Sequence, residues 1–390
     1  MSTSRRPSVP SADVEAIAEQ LTSASLVRLL PRPDGDAVAA AGVIARALDQ
    51  LGTPFQVSTG QTRDARAEHV DRGDDAMLSV AVGPLEVSDL SIPAGQTPLA
   101  VVATEVAEEL GATYPPELAL AGVVAAGRSP GSDDHGLLEQ AHERGLARRP
   151  GVAVPTTDLA DGIAHSLLVH APWSGSREAA AAALGSLGLD GKPTDSATLD
   201  EHDHRTIASL VAIEATDAPA PERAAETIGR VVAPYATPQA PFETLGGYAD
   251  VLDAVARERP GLATGFAIGG DVREQVLDAW RAHARLVHAG LEASSTGRYD
   301  GYVVVRLDDT PVVSAAKLCR DVAAPEPLVV AVGTDTVGIA AQQGADTTSV
   351  THAIANAIGG SVTAASQYGF VSSEAPIDER AVIETVREAT

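Results

Sequence analysis

The feature that most constrains the fold is a short apolar run followed by a polar turn and a helical segment. Leu26 to Leu30 reads Leu-Val-Arg-Leu-Leu, which predicts a buried strand. The run ends at Pro31-Arg32-Pro33-Asp34-Gly35-Asp36, a turn-forming sequence, and small and aliphatic residues at helical spacing follow from Ala37 to Leu51. A strand, a turn and a helix in this order begin a βαβ unit, so the sequence predicts a parallel sheet.

The same alternation continues through the first part of the chain. Strand patterns occur at Thr53–Ser58, Met77–Val82 and Leu99–Ala103, and a helical pattern follows from Glu105 to Leu110. The apolar stretch Leu118–Ala126 fits either a helix or a strand. Nearly continuous apolar strands separated by helices predict a parallel sheet that is covered on both faces.

The rest of the chain contains a mostly helical stretch and then a second α/β region. Helical patterns dominate residues 158–287, with breaks at 218–221 and 233–241. The second region has predicted strands at Gly301–Arg306, Leu328–Gly333 and Val337–Ala341, and predicted helices at Val312–Arg320, Thr348–Ile358 and Asp378–Glu388. We therefore expect an α/β protein in three segments: a parallel-sheet domain over 1–170, a helical connector over 171–295 and a smaller α/β domain over 296–390.

Composition determines how the charge of the chain should be interpreted. The formal net charge is -25, the sequence pI is about 4.6, and Lys192 and Lys317 are the only lysines. Many carboxylates with few lysines are typical of a cytoplasm of very high salt, as in a halophilic archaeon, where ions screen acidic repulsion; the alternative is an ordinary acidic protein. A negative charge normally argues against a nucleic-acid partner, but in a high-salt protein it excludes none.

Several classes of protein are excluded by what the sequence lacks. Cys319 is the only cysteine, so neither a disulfide framework nor a cysteine-based zinc site is expected. It lies in a helical pattern, where a lone cysteine is usually a small buried hydrophobe. The first ten residues are polar and no run reaches the length of a membrane span, so we expect a cytoplasmic protein with no membrane partner.

Two aspartates form the candidate site. Asp34 and Asp36 are two residues apart, and on an extended segment such side chains point to one side. At the carboxyl end of a parallel strand, where open α/β sheets bind ligands, carboxylates suit hard ions such as Mg²⁺ or Mn²⁺. The alternative is structural: Asp36 caps the following helix and Asp34 stabilises the turn.

The segment Leu26–Leu51 resembles the first motif of the DHH phosphoesterase superfamily, in which a strand ends in His-x-Asp-x-Asp and continues into a helix of small residues. Asp34 and Asp36 match the two aspartates, and Arg32 occupies the histidine position. Other segments resemble the archaeal RecJ-like branch: Arg205–Val211, Ala240–Leu245 and Gly359–Ser366, the last being similar to the Gly-Gly-His-x-x-Ala-Ala-Gly signature of the DHH-associated domain. The resemblance implies an N-terminal DHH domain, a helical connector and a C-terminal DHH-associated domain.

The sequence departs from the family at most of its metal ligands. Leu78–Gly83 has no carboxylate where the resemblance implies a ligand-bearing strand, and Val101–Val106 stands in place of the Asp-His-His motif. At the position of a further family aspartate this chain has Ala125–Arg128, a segment without a carboxylate. Two metal ions need several bridging anions, which two carboxylates do not supply. We therefore assign no catalytic residue, expect no cofactor, and keep Asp34 and Asp36 as metal ligands only for an active, Mn- or Mg-dependent form.

Two other clusters carry liganding side chains. Asp133-Asp134-His135 follows Gly131-Ser132 in a polar segment, which favours a solvated turn. In Glu201-His202-Asp203-His204 the position of Asp203 before a helical pattern favours a helix N-cap. Neither cluster resembles a motif of the family.

The C-terminal signature implies a nucleic-acid contact. In active members its histidine and glycines contact the substrate backbone, so Gly359, Gly360 and Ser361 are the candidate nucleic-acid-binding residues. Ser361 replaces the histidine and can still donate a hydrogen bond to phosphate. Arg306 and Arg320 are further candidates for phosphate contacts.

Two functional hypotheses follow from the resemblance. The first is a catalytically degenerate RecJ-like protein that acts as a scaffold in DNA replication or repair, because the superfamily includes an inactive eukaryotic member that joins the GINS complex and the MCM helicase. The alternative is an active Mn/Mg-dependent 5'-3' exonuclease specific for single strands, or an oligonucleotide phosphodiesterase. Single-stranded DNA or RNA is a ligand in either case. A small-molecule-binding descendant of the fold is a third possibility.

Overall fold

A computed structural model describes residues 11–70, 77–92, 95, 97–132, 136–187, 195–215, 222–342, 345 and 347–390. The chain divides into two compact units, one of residues 1–144 with 255–276 and one of residues 145–254 with 277–390. This division differs from the three predicted segments, whose boundaries remain a prediction.

The described helices are α1 (Ser11–Ser23), α2 (Gly35–Leu51), α3 (Arg63–Ala67), α4 (Leu99–Glu109), α5 (Pro116–Ala125), α6 (Leu137–Glu143), α7 (Leu159–His165), α8 (Arg177–Gly185), α9 (Glu201–Glu214), α10 (Glu222–Val231), α11 (Leu245–Glu258), α12 (Pro260–Ala267), α13 (Arg273–Ala293), α14 (Val312–Val322), α15 (Thr347–Ile358) and α16 (Glu379–Ala389). The described strands are β1 (Leu26–Pro31), β2 (Phe55–Val57), β3 (Met77–Val82), β4 (Leu90–Ile92), β5 (Ala147–Arg148), β6 (Tyr235–Ala236), β7 (Ser295–Tyr299), β8 (Tyr302–Arg306), β9 (Leu328–Val332), β10 (Thr336–Ala341), β11 (Ser361–Ala364) and β12 (Tyr368–Ser372). Both predicted α/β regions are therefore present.

The first unit contains a parallel sheet of the order β2-β1-β3-β4. Strand β1 lies inside the sheet, with Leu29 opposite Val57 on one side and Val80 on the other. The chain passes from β1 to β2 on one side and then from β2 across to β3 on the other side of β1, so the carboxyl ends of β1 and β3 flank a topological switch point. The parallel sheet predicted from the apolar strands is confirmed.

Helix α2 is buried on nearly every side, which explains its small residues. Its residues from Gly35 to Ala45 are all buried. A Cβ added at Gly42 would come within 2.8 Å of the Ala267 Cβ atom, and one at Gly122 within 2.6 Å of the Ala100 Cβ atom. The helices around α2 therefore approach so closely that only small side chains fit between them.

The predicted strand at Leu99–Ala103 is wrong, because these residues open helix α4. Five apolar residues in a row do not distinguish a buried strand from a buried helix, and all five are buried here. The ambiguous stretch Leu118–Ala126 is also helical and forms α5. Residues Val101–Val106, which stand in place of the Asp-His-His motif, therefore lie within α4.

The second unit contains a six-stranded sheet of the order β11-β12-β10-β9-β8-β7, in which only the β8–β9 pair is parallel among the described pairings. Alternate residues face its two sides. Val305 and Val329 pack with Val313 and Leu318 of α14 on one face, and Val304, Val330 and Ile339 pack with α15 and α16 on the other. Cys319, a residue of α14, is buried in the first of these cores, as predicted.

Helices α7, α8 and α9 form a separate core in the same unit, with Trp173 and Leu184 among its buried members. Strands β5 and β6 pair as a small antiparallel sheet. Within the described residues, no helix has the length and apolarity that crossing a membrane requires.

Candidate functional site

Arg32 and Asp34 form a buried ion pair just beyond strand β1. The Arg32 Nε donates to Asp34 Oδ2 at 2.5 Å, and the two side chains are 8% and 5% exposed. The other oxygen, Asp34 Oδ1, accepts from the backbone N–H of Ala37 at 2.9 Å and caps the N-terminus of α2. Both oxygens of Asp34 are therefore engaged by groups of the chain itself.

Asp36 caps a different helix from the one it belongs to. It lies in the first turn of α2, and its two oxygens accept the backbone N–H groups of Leu99 and Ala100 at 2.9 Å each. These amides open α4, whose own N-cap position is Pro98 and makes no side-chain cap. The structural alternative is therefore realised with different roles. Asp34 caps α2, the role predicted for Asp36, and Asp36 caps α4 and not the helix that follows it.

Burial and neighbouring charges move the two carboxyl pKa values apart. Burial raises the pKa of Asp34, but the guanidinium of Arg32 and the charge of Arg257 outweigh it and lower the pKa below its ordinary value. Burial and the negative charge of Asp34 raise the pKa of Asp36 to about 7, although the amides of Ala100 and Leu99 act in the opposite direction. Asp34 is therefore ionised at neutral pH, while Asp36 titrates there.

A second buried arginine lies at the same end of the sheet. Arg66 of α3 is 1% exposed, and its Nη2 donates to the carbonyl of Leu30 at 2.7 Å. Longer bonds join Nη1 to the carbonyl of Pro84 at 3.4 Å and Nη2 to that of Gly83 at 3.5 Å. Sequence reasoning missed Arg66. The structure places it in the five-residue helix α3, beside the buried apolar cluster that includes Leu30 and Ala81.

The residues at this end of the sheet do not fit a metal centre. Asp34 already has a cationic partner, Asp36 accepts two amides, and Ser79 of β3 is a hydroxyl residue on a strand that carries no carboxylate. Among the described residues no group of three or more His, Cys, Asp or Glu side chains could hold a metal ion. The arrangement serves as an ion pair with two helix caps.

The other predicted clusters lie elsewhere. Asp133-Asp134-His135 falls outside the described residues. At the second cluster the N-cap of α9 is Asp200, and the predicted cap Asp203 sits at the third helical position, where the two form a capping box. His202 is exposed, and the ring of His204 contacts the carbonyl of Ser196 at 3.1 Å.

The candidate nucleic-acid residues lie between α15 and β11. Gly359 has a φ of 70° and ends α15 in the left-handed region. A Cβ at Gly360 would come within 2.6 Å of the Ser372 carbonyl, so this glycine permits a close approach of two backbone segments within the chain. Ser361 is half-buried and begins β11. A nucleic-acid role for the three residues remains a prediction.

The two arginines predicted as phosphate contacts both have carboxylate partners. Arg306 is paired with Glu379 through two contacts, at 2.5 Å and 2.8 Å. Arg320 is bidentate to Asp321 at 2.7 Å and 2.8 Å, and its Nη1 donates to the carbonyl of Ala341 at 3.2 Å. In this conformation their guanidinium groups hold elements of the second unit together.

Comparison with known proteins relates most of the chain to a haloarchaeal relative. Residues 294–388 match the family model described as "Uncharacterized protein rrnAC1427, C-terminal domain", nearly the residues of the predicted C-terminal segment. The protein rrnAC1427 of Haloarcula marismortui is 41% identical over 364 residues, covering 92% of each chain.

Solved structures identify the fold. The crystal structure of CDC45 from Entamoeba histolytica is similar over 97% of this chain and 98% of that chain, with 10% identity and a TM-score of 0.60. RecJ from Thermus thermophilus in complex with Mn²⁺ matches 99% of this chain and 55% of RecJ, with 12% identity and a TM-score of 0.46. The chain therefore shares its fold with CDC45, and at this identity the likeness concerns the fold alone.

Proposed function

Because the chain belongs to the family of the Haloarcula marismortui protein rrnAC1427, we propose a function that requires its DHH-type fold and not a metal centre. The protein is a catalytically degenerate RecJ-like scaffold in DNA replication or repair, located in a cytoplasm of high salt. Its partners are the GINS complex and the MCM helicase, and single-stranded DNA or RNA is a further ligand, bound through Gly359, Gly360 and Ser361.

One observation carries the non-catalytic part of this proposal. The aspartates that match the first motif of the superfamily are used inside the fold, Asp34 by Arg32 and by the amide of Ala37, Asp36 by the amides that open α4. A divalent ion would have to displace a buried guanidinium and leave helix amides without acceptors. The fold is retained while its two motif aspartates form contacts within the protein. This pattern is expected when selection acts on the surface and the fold and not on catalysis.

The proposed partners have a different basis. The resemblance of Arg205–Val211 and Ala240–Leu245 to the archaeal RecJ-like branch implies association with GINS and MCM. The likeness to CDC45 supports the fold on which such a role would be built, and no contact surface for a partner is assigned.

A nuclease assay tests the first part. Labelled single-stranded DNA and RNA are incubated in molar KCl with Mn²⁺, and we expect no turnover above that of an Asp34→Ala, Asp36→Ala double variant. Turnover by the natural sequence that disappears in the double variant would establish the exonuclease alternative instead.

A binding assay with purified components tests the second part. The tagged chain is mixed with GINS and with MCM in molar KCl, and we expect each to co-elute with it and not with the tag alone. Absence of co-elution at both high and moderate salt would remove the replication role while leaving the assignment of a non-catalytic protein intact.

A further inference from the structure

We propose that the carboxyl end of the first sheet is a cation site that the chain fills with its own guanidinium groups. The inference rests on the proposed non-catalytic function and deepens it, because it assigns a role to the residues that stand where a catalytic relative would place metal ligands. It concerns Arg32 and Arg66, neither of which resembles a family motif.

The first part of the site is the carboxylate of Asp34. This side chain is 5% exposed, and Arg32 is its cationic partner at 2.5 Å. A buried carboxylate without a partner is strongly destabilising, so the position requires a positive charge whatever its source.

The second part is a set of carbonyl oxygens at the ends of β1 and β3. The carbonyls of Leu30, Gly83 and Pro84 all accept from the guanidinium of Arg66, at 2.7, 3.5 and 3.4 Å. Carboxylate and backbone carbonyl oxygens are the ligand types that small cations such as Ca²⁺ take. The edge therefore offers cation ligands, and two side chains supply the charge.

The third part is the space that the Arg32 guanidinium occupies. It lies against Gly83, which follows β3 with a φ of 93°. A Cβ at that position would come within 3.4 Å of Arg32 Nη1 and 3.6 Å of Arg32 Cζ. The glycine therefore provides the turn, and a Cβ there would make only ordinary van der Waals contact with the guanidinium that fills the space beside it.

The consequence concerns external cations. With Arg32 in place the site needs none, so Mn²⁺ and Mg²⁺ have no effect on the stability of the natural protein. With Arg32 removed, Asp34 and the vacated volume remain, and a small cation or a free guanidinium ion should bind there and restore stability.

The test uses the full chain and thermal unfolding in molar tetramethylammonium chloride, whose cation supplies ionic strength but has no N–H group to donate to Asp34. We expect Arg32→Ala to lower Tm by about 5–15 °C, as for loss of a buried ion pair in a unit of this size. MnCl₂ or methylguanidinium chloride should raise that Tm again, and the rise should be absent in Arg32→Ala, Asp34→Asn. The control is Arg63→Ala in the same unit, whose partner Glu86 is 84% exposed and whose Tm should respond to neither compound.

Two results would overturn the inference. One is stabilisation of the natural protein by Mn²⁺ that is lost in Asp34→Asn, since an external ion would then displace Arg32. The other is a folded Arg32→Ala variant whose Tm responds to none of the cations. If Arg32→Ala does not fold in tetramethylammonium chloride, refolding with methylguanidinium chloride followed by far-UV circular dichroism gives the same decision: the folded state should be recovered in Arg32→Ala and not in Arg32→Ala, Asp34→Asn, and no recovery in either variant would overturn the inference. The test measures thermal stability, so failure of this inference can be distinguished from failure of the proposed binding to GINS and MCM.

Discussion

Arg32, Asp34 and Asp36 follow one another closely in sequence, yet they are fixed by contacts of very different range. Asp34 bonds a residue two positions before it and an amide three positions after it. Asp36 bonds amides 63 and 64 positions away. The first kind of contact can be predicted from turn chemistry, and the second depends on where α4 lies.

We expect loss of the Asp34 charge to be far more damaging than loss of a surface carboxylate. Asp34→Asn removes the carboxylate that pairs with the buried guanidinium of Arg32 and should lower the free energy of unfolding by about 3–5 kcal/mol. Glu86→Gln breaks an exposed pair of the same unit, with Arg63, and should cost less than about 1 kcal/mol. Urea unfolding measures both, and similar losses in the two variants would contradict the prediction.

The raised pKa of Asp36 predicts a pH dependence of stability. Its folded pKa of about 7 exceeds the ordinary value of 3.8, so the folded state binds the proton more tightly than the unfolded state. The free energy of unfolding should therefore fall as pH rises from about 4 to 7, by at most about 1.4 kcal/mol per pH unit, and the contribution is gone above the folded pKa. Asp36→Asn should remove the contribution of Asp36 to this slope.

Asp250 provides the matched control for that measurement. Burial raises its pKa to about 7 as well, although the Leu167 amide and the Trp280 Nε1 group that bond it lower the pKa. It lies in the second unit, so Asp250→Asn should remove its own share of the slope and leave that of Asp36. A slope unchanged in Asp36→Asn and abolished in Asp250→Asn would assign the whole pH dependence to the second unit.

At the scale of elements, close approach explains positions that sequence patterns leave undetermined. Gly338 interrupts the apolar strand β10, and a Cβ there would come within 2.4 Å of the backbone of Val312 at the start of α14. The glycine therefore permits the helix to pack closely on the sheet. This contact cannot be predicted from the local sequence pattern around Gly338.

We expect Gly338→Ala to destabilise the second unit by about 1–3 kcal/mol, as overpacking of a core does. Gly229→Ala, in α10 of the same unit, meets no atom within 4 Å and should be neutral or stabilising by up to about 1 kcal/mol because alanine favours the helix. Differential scanning calorimetry measures the stability change in both variants. If Gly338→Ala does not change the stability, helix α14 can shift against the sheet without cost and the prediction is contradicted.

Helix α4 is the element that sequence reasoning assigned wrongly. Its first five residues, Leu99 to Ala103, are apolar and buried, which fits a central strand as well as a central helix. Strands β1 and β3 were predicted correctly because a turn or a polar segment bounds each of them. At Leu99 the deciding group is the carboxylate of Asp36, which satisfies the first amides of the helix from another element.

At the scale of the whole molecule, the net charge of -25 predicts a strong dependence on salt. Repulsion among the carboxylates opposes the compact state, and molar salt shortens the screening length to about 3 Å. Raising KCl from about 0.2 M to about 2 M should therefore raise Tm, whereas sucrose, which acts by exclusion and not by screening, should give a smaller rise. A Tm that is independent of KCl would contradict the assignment to a high-salt cytoplasm.

The sequence by itself determined the α/β class of both regions, the strands β1, β3, β8, β9 and β10, the burial of Cys319, and the departure of the chain from the metal-ligand pattern it resembles; strands β4, β7, β11 and β12 were not predicted. These properties depend on periodicity and residue type, which are local. Only the tertiary structure decided that Leu99–Ala103 is helical, that Asp36 caps that helix, and that Arg32 and Arg66 supply the positive charge at the end of the first sheet. Apart from the Arg32–Asp34 pair, these contacts join residues far apart in the chain, so their energies follow from which groups are buried together and not from the spacing of residues along it.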